Sequence, residues 1–181
     1  MKRPNSTQDA PRARGRQCLP CTACCQGWLS ADVLGHHMRA GHPCPHSKPE
    51  GCGIYSERPQ VPCRTFICSW LVDDSPLPDW MRPDSCGAIV LLSMRWDDEY
   101  VISAVPVGPT IPDRTLTWLK DYARQHRRPL VFYERIRTDG RYTGLKRFGF
   151  GPPAFRDKVA RHSADSGLDE MRLFSAGETP A

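Results

Sequence analysis

The sequence has no long apolar run. Nothing in its 181 residues approaches the roughly 18 to 20 consecutive apolar residues that span a membrane. It lacks a phosphate-binding glycine loop, since Gly149-Phe150-Gly151 is without the flanking pattern of either nucleotide motif. It lacks a G-x-S-x-G element, which removes the usual serine hydrolase reading. No internal repeat is visible. The basic, polar start is followed by no apolar stretch, so a secretory signal is not expected and the cytoplasm is the expected location. Apolar residues are also scarce, at 39%, while there are 18 prolines and 14 glycines. A modest core and much loop follow from that balance. Charge is unevenly spread. Lys2, Arg3, Arg12, Arg14 and Arg16 against Asp9 place most of the formal +5 in residues 1–17, and the body is close to neutral.

What the chain has instead is cysteine. Eight of nine cysteines fall within residues 18–70. The segment opens with Cys18-x2-Cys21-x2-Cys24-Cys25, passes Cys44 and Cys52, and closes with Cys63 and Cys68. In a reducing compartment, clustered cysteines read as metal ligands rather than disulfides, and the odd count agrees. Thiolates suit zinc and iron–sulfur clusters because sulfur donates charge well to soft or borderline metals. Two residues between cysteines let a turn aim both sulfurs at one centre, so Cys18, Cys21 and Cys24 make a tripod. Adjacent side chains diverge. Cys25 therefore serves a second metal, or the site is polynuclear. Eight thiolates satisfy two four-thiolate sites by count, with Cys18, Cys21, Cys24 and a distant ligand in one. The other would hold Cys25 and three of Cys44, Cys52, Cys63 and Cys68, and the sequence leaves the choice open. Ferredoxins share the C-x2-C-x2-C run, but here Cys44-Pro45 comes much later than their fourth cysteine.

Together with Cys52-x-Ile54-Tyr55-x2-Arg58-Pro59-x3-Cys63-Arg64-x-Phe66, this pattern resembles the CxxCxxCC cysteine-cluster family, the YkgJ-type zinc- or iron-chelating proteins. The match covers residues 18–70, under a third of the chain. The resemblance implies metal chelation by these cysteines and no established activity. A similar pattern occurs in flagellin lysine N-methylases, but this chain is far shorter than those, and their activity is not carried over.

Residues near the ligands have expected tasks. Arg58 and Arg64 would offset the negative charge of a thiolate-bound metal and donate hydrogen bonds to sulfur. Tyr55 and Phe66 would wall off solvent, and Pro59 and Pro62 would stiffen the loop that presents Cys63. His42 and His46 flank Cys44, but eight thiolates leave little need for imidazole. Cys86 lies outside the motif and reads as a buried thiol.

The expected fold class is α+β: an irregular, metal-stabilised Cys-rich N-terminal segment followed by a small β-β-α-β-β unit. The expected division is a disordered basic leader (1–17), the cysteine-cluster domain (18–70), a Pro-rich acidic linker or strap (71–86), the α+β unit (87–165) and a frayed tail (166–181). Residues 30–39 read as a short helix with Ser30 as cap and Val33, Leu34 and Met38 on one face, and 40–63 as loop. Residues 88–92 and 100–105 are β-branched runs, with 95–99 between them suiting a hairpin turn. Residues 112–127 read as a helix, and 130–133 and 142–150 as strands about Thr138-Asp139-Gly140. Residues 155–162 read as a further short helix. The helix between the strand pairs is expected on one face of the sheet.

The function expected is metal binding, with zinc or iron, including an iron–sulfur cluster, in a mainly structural role. Two alternatives are an iron–sulfur enzyme of group transfer or redox chemistry and a nucleic-acid-binding zinc module. The latter would use the basic tail and Arg124, Arg127, Arg128, Arg135, Arg137, Arg141, Lys146 and Arg147, interleaved with Tyr133, Tyr142 and Phe148. Solvated surface explains that run better. A protein partner is left open, and no membrane is expected.

Overall fold

The computed structural model describes residues 15–96, 99–166 and 172–174. Most of the leader and most of the tail lie outside these residues. The chain forms two compact units that meet in sequence at Ile89 and Val90. It is mixed α and β, with several small sheets and few helices. Among the described residues no helix is long and apolar enough to cross a membrane.

The first unit opens with a helical turn, Cys24–Gln26, closed by Gly27 at φ 85°. A side chain at Gly27 would collide with the Arg39 carbonyl, so only glycine lets this turn sit against the following hairpin. That hairpin corrects an expectation. Residues 30–39 do not form a helix. They form strands β1 (Ala31–Val33) and β2 (His36–Met38), with Asp32 opposite His37. Val33 and Met38 turn inward together on the hairpin, whereas five residues apart on a helix they would not share a face. Leu34 at φ 49° and Gly35 at φ 81° decide it. Two successive left-handed residues make a two-residue hairpin turn, which no right-handed helix can contain. Nor is 40–63 all loop. It holds a second small hairpin, β3 (Ser47–Lys48) with β4 (Gly51–Cys52), and helical turns at Tyr55–Glu57 and Gln60–Arg64.

Residues 71–86 are packed rather than draped on the surface. Leu77 and Met81 are each only 1% exposed. Helical turns Ser69–Leu71 and Asp79–Met81 and the short helix α1 (Pro83–Cys86) fold the segment back on itself. Trp70 Nε1 donates to the Asp79 carbonyl at 3.2 Å. Arg16, expected within the disordered leader, is held firmly here. Its Nη1 donates to the Trp70 carbonyl at 2.9 Å, and its Nη2 to the Leu77 carbonyl at 2.8 Å. It also pairs with Asp79 Oδ1 at 2.7 Å and stands 4.9 Å over the Trp70 ring.

The β-β-α-β-β order is present from residue 88 onward, with one more helix and one more strand. The elements are β5 (Ala88–Trp96), β6 (Glu99–Pro106), α2 (Asp113–Gln125), β7 (Leu130–Thr138), β8 (Arg141–Phe150), α3 (Pro153–Ser166) and β9 (Arg172–Phe174). They form one sheet in the order β5-β6-β7-β8-β9. Helix α2 is the crossover between parallel strands β6 and β7, and α3 joins parallel strands β8 and β9. Between antiparallel β7 and β8, Asp139 and Gly140 make the turn at φ 50° and 78°. Helices cover both faces, not one. Phe155 and Val159 of α3 pack with Trp96, Val101 and Val131. Gly149 permits this, since a Cβ there would meet Val159 at 3.3 Å. Phe132 and Phe148, stacked at 5.1 Å, take the other face, where Lys120 of α2 lies 5.9 Å from the Phe132 ring.

Candidate metal centre

All eight motif cysteines lie in the first unit, and none of the nine cysteines is paired in a disulfide. Cys24 and Cys25 sit side by side in the first helical turn. The Cys44 N–H donates to the Cys25 carbonyl at 2.8 Å, which fixes Cys44 beside Cys25. Cys44 then joins Val33 and Met38 in a small apolar cluster, against which Cys25 and Cys63 pack. Cys52 ends β4 opposite Ser47, whose N–H donates to the Cys44 carbonyl at 3.0 Å. Cys25, Cys44, Cys52 and Cys63 therefore gather around the two hairpins.

The other four gather differently. Cys18 Sγ lies 4.0 Å from the Cys21 carbonyl, across the Cys-x-x-Cys turn. Cys68 is buried and precedes the turn Ser69–Leu71. Arg16 stands two residues before Cys18 and bonds to Trp70, two residues after Cys68, so it draws those two segments together.

Six of the thiols, those of Cys18, Cys21, Cys25, Cys44, Cys52 and Cys63, border an apolar cavity of about 180 Å³. Burial and neighbouring thiols raise five of the motif cysteines, Cys21, Cys24, Cys25, Cys63 and Cys68. The Cys25 thiol is pushed up to about 12 by burial, then by Cys52 and Cys44 and more weakly by Cys18 and Cys63. Cys63 is raised by burial and by Cys44 and Cys52, with Arg58 opposing. Cys24 is raised well above the usual thiol range by burial, then by Cys68, Cys18 and Cys21. Cys68 reaches about 12 through burial, although N–H groups of Leu71 and Trp70 donate to its sulfur and pull the other way. Burial likewise raises Cys21 against an N–H bond from Ala23. Such N–H···S bonds favour a thiolate, as a metal would require.

Arg58 lies on the cavity wall with its guanidinium 3.6 Å over the Tyr55 ring, and its buried Nε has no hydrogen-bond partner. Arg64 was expected to serve sulfur in the same way. It instead donates Nε to the Arg58 carbonyl at 2.7 Å and Nη2 to the Ser56 carbonyl, tying the loop that presents Arg58. Tyr55 and Phe66 line the cavity, and so does His46. Cys86 is 3% exposed and donates to the Met81 carbonyl at 3.3 Å. Arg16, which nothing in its local sequence marks out, belongs with the site because it positions two ligand segments.

Among the described residues, no three His, Cys, Asp or Glu side chains stand as a preformed metal site. The donors are grouped but not drawn in to ligand distances. Their chemistry still fits a soft or borderline ion, since eight thiols are gathered in one unit and the buried Arg58 Nε beside them has no hydrogen-bond partner. Compared with protein-family models, with curated proteins and with solved structures, the chain matches none.

The basic run of the second unit is mostly committed to local partners. Arg124 pairs with Asp121 at 2.7 Å, and Arg128 donates to the Leu92 carbonyl. Arg137 and Arg147 stand over the Tyr142 and Tyr133 rings at 5.4 and 5.7 Å. Phe148 is 3% exposed, so no base can stack on it.

Proposed function

We propose that the first unit is a thiolate metal-binding module that takes zinc or iron, and that the metal is structural. The observation that carries this reading is the gathering of eight cysteines, from segments spread over residues 18–68, into one unit whose hairpin strands are two or three residues long. Hairpins of that size do not hold themselves together in water, and a metal bound only by the folded form supplies folding free energy directly. The resemblance of residues 18–70 to the CxxCxxCC family points the same way. Bound metal would supply cross-links between segments. Arg58 would offset the net negative charge that a four-thiolate zinc centre carries and would donate its buried Nε–H toward sulfur. The cytoplasm, where thiols stay reduced, is the setting this reading requires.

A second reading, an iron–sulfur enzyme, rests on one observation. The cavity beside the thiols is apolar and large enough for a small ligand next to a cluster. The test for both is elemental analysis with an absorption spectrum on protein purified without oxygen. Stoichiometric zinc without a visible band is the result expected of a structural module. Iron with acid-labile sulfide and a broad visible band supports the enzyme. Protein that folds with neither metal at stoichiometric amounts sinks the metal-binding reading.

A further inference from the structure

The sequence leaves open how eight thiols are shared, and the fold sorts them. We propose that they divide into two separate four-thiolate centres, Cys18, Cys21, Cys24 and Cys68 in one and Cys25, Cys44, Cys52 and Cys63 in the other, each for one soft or borderline divalent ion. This rests on the metal-binding reading above and adds the ligand assignment.

The second set is assembled by backbone bonds and packing. Cys44 is bonded through its N–H to the Cys25 carbonyl, and its own carbonyl accepts from Ser47, the cross-strand partner of Cys52. Cys63 and Cys25 pack on the apolar cluster that contains Cys44. All four border the same cavity, and Cys18 and Cys21 of the first set reach its wall as well. The first set is assembled by the Cys18-x-x-Cys21 turn and by Arg16, which ties the approach to Cys18 to the exit from Cys68. Cys24 and Cys68 do not border that cavity. The boundary is the peptide bond between Cys24 and Cys25. Neighbouring side chains on a helical turn point apart, so this one turn feeds both centres without sharing a sulfur. Binding draws each group of thiols in to its ion and releases their protons.

The full chain is reduced, stripped of metal and titrated without oxygen with cobalt(II), then loaded with zinc. Two equivalents are expected, with the same tetrathiolate spectrum per ion at half and at full loading, because no sulfur bridges the ions. A spectrum per ion that changes between the first and second equivalent shows bridging thiolates and overturns the division. This measurement needs no variant. The paired variant Cys24→Ser with Cys68→Ser should bind one equivalent fewer and keep the remaining tetrathiolate spectrum. Cys44→Ser with Cys63→Ser should do the same from the other side. The crossed pair Cys25→Ser with Cys68→Ser should instead disturb both spectra. A crossed pair that leaves one intact tetrathiolate ion overturns the assignment. Native chain that binds no cobalt or zinc refutes the metal-binding reading itself, and two-ion binding with bridged spectra refutes only the division.

Discussion

The two units of this chain solve the same problem with different means. In the second, β7 and β8 offer one face to α2 and the other to α3. Leu119, Leu130, Val131, Phe150, Phe155 and Val159 are almost wholly removed from water. Burial on that scale stabilises in proportion to area and asks little of any single residue. In the first unit, apolar packing is split into small patches, such as Val33 with Met38 and Trp70 with Leu71, Leu77 and Met81. Thiols fill the places where leucine or valine would otherwise sit. A core built of area tolerates trimming; a core built of ligands fails when its ligands do.

That contrast can be broken at several points. The largest effect should come from chelation of bound metal under reducing conditions. Residues 18–70 are expected to become sensitive to protease while the sheet unit stays resistant. A structural zinc holds on the order of 10–16 kcal/mol of apparent binding free energy. Survival of both halves after complete stripping would refute the contrast. Next, Phe155→Ala should cost the sheet unit about 3–5 kcal/mol, because Phe155 is 1% exposed and packs edge-on to Trp96 at 5.4 Å. Metal content per chain, measured in the same preparation, should not change. Arg16→Ala should cost the first unit about 2 kcal/mol by removing charged hydrogen bonds to the Trp70 and Leu77 carbonyls. It should also weaken cobalt binding, which a purely surface residue would leave alone. The smallest change should be a gain. Leu34 is 66% exposed at φ 49°, and Leu34→Asn creates the Asn-Gly pair that this turn prefers. Thermal unfolding should show about 0.5–1 kcal/mol of added stability.

Legibility followed the same division. The second unit was readable because its signals are local. The β-branched runs at 88–92 and 100–105, Pro112 ahead of α2, and Asp139-Gly140 each act on near neighbours. The second helix face was not foreseen because Phe155 and Val159 show their purpose only against Gly149 and Val131. In the first unit the cysteines announced themselves, but their grouping did not. It depends on the Cys44 N–H reaching Cys25 and on Arg16 reaching carbonyls more than 50 residues away. The hairpin at 31–38 is hidden in the sequence because leucine at a left-handed position gives no warning. Gly35 beside it is the local signal for the turn.

The Arg16 contact also sets where this unit can be trimmed. A chain cut just ahead of residue 15 keeps the guanidinium that locks Trp70 and Leu77 in place. A chain cut at residue 17 still contains every cysteine, yet it has lost the latch that brings Cys18 to Cys68. Two fragments that differ by two residues, with the same ligand set, should therefore differ in how tightly they close, and the shorter one is the wrong choice for expression.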